Sequence, residues 1–296
     1  MTDVASPAPW TIQKALLWAS EDFRKKGFDH PRLEAELLLG DVLQLDRVRL
    51  IVEGAAPLGE QDLAQFRQNI LRRRSGEPLA YIVGHREFFG RKFFVDPRVL
   101  IPRADTEILV EAALQKTQHR ALFGRALDLC TGSGCIAISF AKRRPTWRVT
   151  GVDVSGDAIL VARKNAVYHG ALWGVRFLVG DLFEPLPAKE RFELIVSNPP
   201  YISEAELETL DATVRDFEPR LALAGGNRGL DFYPRLAKGA LGSLVPGGVL
   251  AVEVGAGQAE EVQSLFVQSG FTDPERVKDY GGHQRVVLVR APRNDG

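Results

Sequence analysis

The spacing of apolar residues divides the chain into a helical part and a part in which strands and helices alternate. Within residues 1–85, apolar side chains recur at helical intervals, for example at Leu63, Phe66 and Ile70. Glycine and proline residues interrupt this segment several times, and no β-rich stretch precedes Tyr81. The pattern predicts a small bundle of four or five helices over residues 1–85.

The segment after residue 85 predicts a β-hairpin that links two domains. Two aromatic pairs, at positions 88–89 and 93–94, flank Gly90 and two basic residues. A glycine-containing turn between short apolar runs is typical of a hairpin. We therefore assign residues 86–103 to a linker and residues 104–296 to a second domain.

Beyond Ala126, apolar runs of strand length alternate with helical stretches, which are expected at about 135–143, 155–169 and 258–269. The strand candidates are Ala126–Cys130, Arg148–Asp153, Val175–Gly180, Glu193–Ser197, Gly248–Val254 and Gln284–Arg290. This alternation predicts an α/β fold with a mostly parallel, doubly wound sheet that helices cover on both faces. A turn sequence at 279–282 precedes the last strand, so an antiparallel pair is expected at the C-terminal edge.

Composition and charge narrow the classes of function. The 296 residues suit two domains, and 38 basic residues balance 38 acidic ones, so the formal net charge is zero. The predicted helical domain has 11 basic and 12 acidic residues, and its basic run, Arg72–Arg74, is typical of a solvated helix end. Because no basic face is evident, stable binding to nucleic acid is not expected.

The sequence also bears on the compartment. No apolar run reaches the roughly 18 residues that a membrane span needs, and no secretory signal is visible at the start. Cys130 and Cys135 are the only cysteines, which is too few for a disulfide framework. We therefore expect a cytoplasmic protein that does not bind membranes.

A glycine-rich turn follows the first strand of the second domain, where Asp128-Leu-Cys-Thr-Gly-Ser-Gly134 leads into a helix. Glycine at positions 132 and 134 permits a tight turn and lets a ligand approach the backbone closely. The pattern predicts a nucleotide-type cofactor site, whose contacts in this turn are Asp128, Cys130, Thr131, Gly132, Ser133 and Gly134.

Acidic residues end the next two strands of the predicted sheet. Asp153 closes the second strand, 21 residues after Gly132, and Asp181, followed by Leu182, closes the third. The carboxyl ends of neighbouring parallel strands meet at one crevice, so these residues are expected to border one cofactor. An acid at position 153 can accept hydrogen bonds from both ribose hydroxyls, which suits NAD and S-adenosylmethionine equally. The sequence has neither a P-loop motif nor metal-ligand spacing, so no metal is expected.

The segment Asn198-Pro-Pro-Tyr201 follows the fourth strand. Pro199 and Pro200 hold the backbone rigid and extended. The side-chain oxygen of Asn198 and the main-chain carbonyl of Pro199 can then accept both N–H groups of a planar –NH2 group, and Tyr201 can pack on its flat face. We therefore expect residues 198–201 to be the catalytic element, which presents a nitrogen to an electrophilic methyl group.

These residues resemble a known group of enzymes. Asn198–Tyr201 together with the turn at 128–134 is similar to the S-adenosylmethionine-dependent N-methyltransferases that modify planar exocyclic or amide nitrogens. Within that group, further segments resemble the peptide-chain-release-factor glutamine N5-methyltransferases; they are Arg86–Gly90, Phe94–Glu107, Arg215–Pro219 with Leu223–Gly226, and Asp279–Arg285. The likeness covers nearly the whole chain.

The resemblance implies a Rossmann-like class I methyltransferase fold and S-adenosylmethionine as the cofactor. It implies that Gly132, Gly134, Asp153 and Asn198 contact the cofactor or the substrate, and that residues 198–201 bind a glutamine side chain. The implied partners are bacterial peptide chain release factors, modified at the glutamine of their Gly-Gly-Gln sequence, so that the enzyme modulates translation termination. The helical domain would then recognise the release factor.

Two positions depart from the pattern of that family. Cys130 stands where many members have glycine, which reduces the backbone freedom of the turn. Leu182 stands where an aromatic residue can occur, so adenine would stack on Phe183 or rest on aliphatic side chains. Neither departure removes a group that methyl transfer needs.

Four other functions agree with parts of the sequence. An adenine methyltransferase acting on DNA or RNA shares the Asn198–Tyr201 chemistry but needs a basic face. A methyltransferase acting on a glutamine of a ribosomal protein differs only in its partner. An NAD-dependent oxidoreductase fits the glycines but not Asn198–Tyr201, and a non-enzymatic binding module would not need this combination. No side chain of the motif is an evident general base, so the final proton acceptor stays open.

Overall fold

The computed structural model describes residues 9–118 and 122–293 of a chain that divides into two compact units. The first unit comprises residues 1–84 and the second residues 85–296. The first eight residues of the predicted helical domain therefore lie outside the described part, as do the last three residues of the predicted second domain. The predicted linker at 86–103 belongs to the second unit.

The first unit is helical between residues 9 and 84, as its apolar spacing predicts. Its helices there are α1 (Ile12–Lys25), α2 (Pro31–Leu43), α3 (Arg47–Val52), α4 (Glu60–Arg74) and α5 (Leu79–Val83). Helix α1 begins after Thr11, because the Thr11 side chain accepts a hydrogen bond from the amide of Lys14. The apolar faces of the helices bury one core, which includes Phe23, Leu39 and Phe66.

The basic run at 72–74 forms the last turn of α4, where cations interact favourably with the helix dipole. Each arginine also lies within ion-pair distance of an acidic residue of the same unit. In chain order, the partners are Glu77, Glu34 and Asp22. The run therefore lies at a helix end, as predicted, and its charges are paired within the unit.

The second unit opens with the predicted hairpin, formed by the antiparallel strands β1 (His85–Phe88) and β2 (Arg91–Phe94). The buried side chain of Asn165 fixes this hairpin. Its oxygen accepts a hydrogen bond from the Phe94 amide, and its nitrogen donates to the carbonyls of Phe94 and Ser133. The hairpin is thereby tied to the glycine turn.

Strands and helices alternate through the rest of the unit. They are α6 (Ala104–Thr117), β3 (Arg125–Leu129), α7 (Cys135–Arg143), β4 (Arg148–Asp153), α8 (Gly156–Tyr168), β5 (Val175–Val179), β6 (Phe192–Ser197), α9 (Glu204–Leu207), α10 (Ala212–Arg215), a 3₁₀ helix (Arg220–Ala222), α11 (Phe232–Ser243), β7 (Leu244–Glu253), α12 (Ala259–Gln268), β8 (Thr272–Lys278) and β9 (Gln284–Arg290).

Within residues 122–293, β3–β9 form one sheet in the order β5-β4-β3-β6-β7-β9-β8. The pairs among β3–β7 are parallel, and β9 is antiparallel to both of its neighbours. The predicted mostly parallel sheet with an antiparallel C-terminal edge is confirmed. The apolar spacing does not reveal β8, because this edge strand is almost entirely exposed and contains charged residues and Pro274.

Apolar side chains cover both faces of the sheet. In β6, Leu194 and Val196 belong to one core, whereas Phe192 and Ile195 belong to the other. Helices α6, α7 and α8 contribute to the first core, and α11 and α12 contribute to the second. Burial on both faces explains why these strands read as continuous apolar runs rather than alternating ones.

Candidate active site

A cleft opens where the order of the strands reverses. The chain runs outward from β3 through β4 to β5 and returns to β6, which lies on the other side of β3. Open α/β sheets bind ligands at such a point, outside the carboxyl ends of the strands. The cleft contains about 980 Å³ of space that is partly open to solvent, and the segments after β3, β4, β5 and β6 line it.

Most of the sequence-predicted site residues line this cleft: Cys130, Thr131, Gly132, Ser133, Asp153, Asp181, Leu182, Asn198 and Pro200. Within the described part of the chain, four predicted residues are outside the lining: Asp128, Gly134, Pro199 and Tyr201. The structure therefore brings the ends of four strands together around one cleft, and it gives the remaining four residues other surroundings.

The glycine turn adopts backbone conformations that favour glycine, with φ angles of +53° at Gly132 and +78° at Gly134. No atom lies within 4 Å of the position of a Cβ at Gly132, so its backbone borders open space. A Cβ at Gly134 would lie 3.1 Å from the ring of Phe177 and 3.2 Å from Ala162. Gly132 thus leaves room for a ligand, whereas Gly134 permits close packing at the start of α7.

Asp128 is fully buried, and its carboxylate holds the turn. One oxygen accepts hydrogen bonds from the Thr131 hydroxyl at 2.6 Å and from the Ala137 amide at 3.1 Å. The other oxygen has no hydrogen-bond partner among the described residues. Burial raises the pKa of Asp128 to about 7. Asp128 therefore positions Thr131 and the first turn of α7 from beneath the cleft.

Asp153 ends β4 and lines the cleft. Its carboxylate accepts hydrogen bonds from the amides of Gly132 at 2.9 Å and Ser155 at 3.0 Å. A carboxylate has about four lone-pair positions, so two remain for ligand hydroxyls. Burial raises the pKa of Asp153 despite these two hydrogen bonds. Asp153 thus joins β4 to the glycine turn, and its carboxylate can still accept hydrogen bonds from a ligand.

The segment after β5 contributes one charged and one apolar side chain to the cleft. Asp181 lines it but is ion-paired with Arg235 of α11. Leu182 lines it in the left-handed conformation, with φ at +49°. Phe183 instead packs against α11, where a Cβ on Gly239 would lie 2.2 Å from its ring. Leu182 lines the cleft and Phe183 does not, so Leu182 is the better placed of the two to pack on adenine.

Both cysteines border the cleft, but neither resembles an activated nucleophile. Cys130 has φ at +59°, a conformation that costs a non-glycine residue of order 1–3 kcal/mol and explains why glycine suits this position. Burial raises the pKa of both thiols, that of Cys135 to about 12. Reactive cysteines have lowered pKa values, so these side chains serve packing.

Thr106 orients the side chain of Asn198. The Nδ2 atom of Asn198 donates a hydrogen bond to the Thr106 hydroxyl at 3.1 Å. Because the amide nitrogen is engaged, the side-chain oxygen of Asn198 is the atom available to accept from a ligand. Thr106 is buried in the first turn of α6 and lines the cleft. Apolar spacing gives no sign of Thr106, although it lies inside the segment 94–107.

The Tyr201 side chain packs against the core formed with α11 and α12, and its hydroxyl donates to the Glu253 carboxylate at 3.4 Å. Glu253 ends β7 and is only 1% exposed. Burial raises its pKa to about 7. Stacking of Tyr201 on a substrate stays a prediction. Glu253 is a buried partner of Tyr201 that the apolar run of β7 conceals.

The segment 223–226 packs closely on the Asn198–Tyr201 element. A Cβ on Gly225 would lie 2.7 Å from the Pro200 carbonyl oxygen and from the Tyr201 Cα. The Gly225 amide donates to the Ile202 carbonyl at 2.8 Å. Glycine therefore lets the two backbone segments approach, which supports the rigid position of residues 198–201.

Glu218 joins two loops that both line the cleft. Its side chain is only 2% exposed and accepts hydrogen bonds from the Ile101 amide at 3.1 Å and from the Arg103 guanidinium. Residues 98–103 and 219–222 both contribute to the cleft lining. Glu218 therefore connects the segments 94–107 and 215–219, which the sequence singled out without showing why they belong together.

Glu218→Ala should lower the free energy of unfolding by about 1–3 kcal/mol, because it leaves the buried Ile101 amide without an acceptor. Urea denaturation of the full chain measures this change. Asp216→Ala is the matched control, since Asp216 forms only an exposed pair with Arg215, and its unfolding midpoint should not change. Equal unfolding midpoints for the two variants would show that Glu218 does not stabilise the connection between the two loops.

Two features are absent from the part of the chain that the structure describes. No helix there is both long enough and apolar enough to cross a bilayer. No group of three or more histidine, cysteine, aspartate or glutamate side chains there could hold a metal ion.

Two protein-family models match the chain. The model described as the PrmC N-terminal domain matches residues 14–84, which lie in the helical unit. The model described as the methyltransferase small domain matches residues 104–226, which include β3–β6 and Asn198–Tyr201. Both units thus have counterparts in known families.

The chain is also similar to full-length proteins named release factor glutamine methyltransferase. The protein from Geobacter sulfurreducens is 49% identical over 281 residues, 95% of this chain and 97% of that protein. The protein from Chlorobaculum tepidum is 44% identical over 289 residues, 95% of this chain and 98% of that protein. A solved methyltransferase structure from Pyrococcus furiosus has a TM-score of 0.52 at 18% identity, covering 76% of this chain and 98% of that one, which shows the shared fold.

Proposed function

Because the chain belongs to the family of release factor glutamine methyltransferases, we propose that it methylates the side-chain amide nitrogen (N5) of the glutamine in the Gly-Gly-Gln sequence of bacterial release factors. S-adenosylmethionine is the methyl donor, and the product modulates translation termination. One structural observation carries the proposal. The side-chain NH2 group of Asn198 donates a hydrogen bond to the Thr106 hydroxyl, so the side-chain oxygen can accept one from a ligand in the cleft.

The residues at the cleft fit S-adenosylmethionine. Gly132 offers backbone that borders open space, Asp153 offers lone pairs for ribose hydroxyls, and Leu182 offers apolar surface for adenine. When bound, S-adenosylmethionine supplies an electrophilic methyl group on a positively charged sulfur. These residues are proposed to bind and orient the cofactor; none of them needs to react.

Asn198 and Pro199 are proposed to hold the glutamine amide. An amide nitrogen is a weak nucleophile, so its orientation matters. Its two N–H groups would donate to the Asn198 side-chain oxygen and the Pro199 carbonyl, which keeps the nitrogen facing the cleft. The same acceptors favour the positive charge that develops on the nitrogen as a bond to carbon forms. The close packing of Gly225 on the Pro200 carbonyl and the Tyr201 Cα supports the position of this element.

Charge supports a protein substrate over a nucleic acid. An adenine methyltransferase needs a basic surface that neutralises phosphates. The chain has a net charge of zero, and the arginines at 72–74 are paired with acidic residues. A glutamine of a ribosomal protein presents the same amide chemistry, so the partner must be tested directly.

Mass spectrometry of a release factor incubated with the protein and S-adenosylmethionine tests the proposal. We expect a gain of one methyl group on the Gly-Gly-Gln glutamine. A release factor with alanine in place of that glutamine is the control and should remain unmodified. Methylation of a ribosomal protein, or of an adenine in nucleic acid, without modification of the release factor would refute the proposed substrate.

The helical unit is proposed to bind the release factor away from the glutamine. Stable protein recognition usually buries about 1,200–2,000 Å², more than a Gly-Gly-Gln loop offers. Residues 12–83 form helices around their own core, so they can supply surface without chemistry. A chain that starts at His85, the first residue of the second unit, should therefore bind S-adenosylmethionine normally.

The same truncation should raise the KM for intact release factor by about tenfold or more, because remote contacts supply binding rather than the chemical step. Activity on a short Gly-Gly-Gln peptide should fall much less. Steady-state assays on both substrates measure the difference, and circular dichroism checks folding. An equal loss on protein and peptide would show that the helical unit only supports the fold.

A further inference from the structure

We infer that the first turn of α6 positions the Asn198 side chain and that three remote segments hold this turn in place, an inference that rests on the proposed function. Thr106 lies in the turn, and its hydroxyl accepts the hydrogen bond from the Asn198 nitrogen at 3.1 Å. This hydrogen bond fixes Asn198 only as well as Thr106 itself is fixed. The residues that hold the turn are therefore positioning residues: Glu107, Glu218 and Arg285.

The start of α6 depends on contacts from outside the helix. The first four amide groups of any helix have no partner within it, so this end is weakly held. Within the described part of the chain, the side chain of Arg103 at the N-cap position forms no capping hydrogen bond. Arg103 also places a positive charge at the positive end of the helix dipole, which is unfavourable unless that charge is paired.

The first contact comes from Glu218. Its carboxylate forms an ion pair with the Arg103 guanidinium, which cancels the unfavourable charge at the start of α6. The same carboxylate accepts a hydrogen bond from the Ile101 amide at 3.1 Å. Glu218 therefore fixes the segment that leads into the helix.

The second contact comes from Arg285 of β9. Its Nε atom lies 3.1 Å from the carboxylate of Asp105, in the first turn of α6, and 2.9 Å from the carboxylate of Asp279. Asp279 is itself held, because it accepts a hydrogen bond from the His283 amide at 2.8 Å. The turn between β8 and β9 thus presents a fixed cation to the first turn of α6.

The third contact joins α6 to the hairpin of β1 and β2. The Glu107 carboxylate accepts a hydrogen bond from the Phe89 amide at 2.9 Å. Residues 103, 105 and 107 thus each contact a different segment, while Thr106 among them is buried and lines the cleft. The segments that meet here are those singled out in the sequence: 86–90, 94–107, 215–219 and 279–285.

This convergence indicates precise positioning rather than stability alone. Helix α6 already buries five apolar side chains beyond its first turn: Ile108, Leu109, Val110, Ala112 and Ala113. That packing keeps the helix on the sheet without the three polar contacts. A displacement of about 1 Å in a group that orients the substrate can cost as much as 10²-fold in rate. Holding the turn that carries Thr106 therefore matters most for catalysis.

Arg285→Gln tests the inference, because it removes the charge that faces Asp105. With saturating S-adenosylmethionine and well below the unfolding temperature, kcat and kcat/KM for release factor should fall together by about tenfold, since Asn198 is assigned to the transition state. The KM for release factor and the dissociation constant for S-adenosylmethionine should change by less than about twofold. Arg285→Lys keeps the cation and should recover most of the activity.

Arg290→Gln is the matched control. Arg290 is another partly buried arginine of β9, and its partners Asp273 and the Gly247 carbonyl belong neither to α6 nor to the cleft lining. Its kcat should equal that of the unaltered protein. Asp105→Asn removes the Arg285 ion pair from the other side and should match Arg285→Gln, so the test holds even if circular dichroism shows that Arg285→Gln folds poorly.

Repeating Arg285→Gln in Asn198→Ala protein separates positioning from a merely structural role. If Arg285 acts by positioning Asn198, the second substitution should cause almost no further loss in single-turnover rate, because the group that it positions is gone. Equal losses in both backgrounds would overturn the inference. Glu218→Gln removes the ion pair with Arg103 but keeps an oxygen for the Ile101 amide, and it should show the same dependence on Asn198.

The outcomes distinguish this inference from the proposed function. If the unaltered protein methylates release factor but Arg285→Gln retains full kcat, the positioning role is wrong and the function stands. If the unaltered protein leaves release factor unmethylated, the proposed function fails, and NMR of the Asn198 side-chain NH2 group tests the positioning alone. Its signals, identified by their loss in Asn198→Ala, should shift in Thr106→Val and in Arg285→Gln but not in Arg290→Gln. Unchanged signals in Arg285→Gln would overturn the inference.

Discussion

Asn198→Ala should lower turnover by about 10²- to 10³-fold, the usual loss when one preorganised acceptor of the transition state is removed. Among the described residues, none donates a hydrogen bond to the side-chain oxygen of Asn198, just after β6, whereas its nitrogen donates to Thr106. Alanine removes the acceptor and leaves the backbone of the Asn198–Tyr201 element in place. The affinity for S-adenosylmethionine should stay within a few-fold, because the ribose is assigned to Asp153.

Single-turnover assays with release factor and titration calorimetry with S-adenosylmethionine separate the two effects. Asn198→Gln is an informative companion, since it keeps the carboxamide but displaces it by one methylene group; it should also be slow. Thr117→Val, away from the cleft, controls for general loss of stability. Near-normal turnover of Asn198→Ala would refute the catalytic role, and a large loss of cofactor affinity would place Asn198 on the cofactor instead.

The fold could be predicted from the sequence because both faces of the sheet are buried. The centres of two predicted strands, residues 194–196 and 249–252, are apolar at every position, and short runs of this kind are typical of buried parallel strands. Helix α6 is less evident, because its buried residues lie on more than one side and blur the period. Helix α11 buries residues at regular helical intervals, so apolar spacing could have revealed it. Strand β8 has almost no buried residue, so no pattern of apolar spacing marks it.

The location of the site could also be predicted, because the order of the strands determines it. Residues that end β3, β4, β5 and β6 must meet at one edge of a doubly wound sheet. Sequence does not say which way each side chain points from that edge. Asp128 lies within β3 and is fully buried, so its carboxylate holds Thr131, whereas Asp153 is the last residue of β4 and reaches the cleft.

The sequence does not show which residues, far apart in the chain, contact one another. Glu218 and Arg103 are separated by 115 positions, and Asn198 and Thr106 by 92. No local period links such pairs, and an isolated threonine or glutamate is common on any helix or strand. Glu253 is informative only in retrospect: it is the charged residue that ends an otherwise apolar β7.

Asp153→Ala should weaken binding of S-adenosylmethionine, by contrast with Asn198→Ala. Each charge-assisted hydrogen bond to a ribose hydroxyl is worth about 1.5–3 kcal/mol, so losing even one lowers affinity by about 10- to 100-fold. The carboxylate already accepts from Gly132 and Ser155 and has two lone-pair positions left, which matches the two hydroxyls of a ribose. Titration calorimetry on the full chain measures the dissociation constant directly.

Part of that loss could arise indirectly, because Asp153 also holds the Gly132 amide. Ser155→Gly leaves the Asp153 carboxylate intact and removes only the hydroxyl that caps α8, so it controls for disturbance next to the site and should bind within a few-fold of normal. Asp157→Ala removes a nearby exposed acid and should also bind normally, which excludes a general effect of negative charge. Protonation removes the charge that strengthens the hydrogen bonds to the carboxyl oxygens. Burial raises the pKa of Asp153, so the difference in affinity between the unaltered protein and Asp153→Ala should shrink as the pH falls. An unchanged dissociation constant for Asp153→Ala would show that the ribose is held elsewhere, whereas a weakened constant that does not respond to pH would assign the effect to the glycine turn.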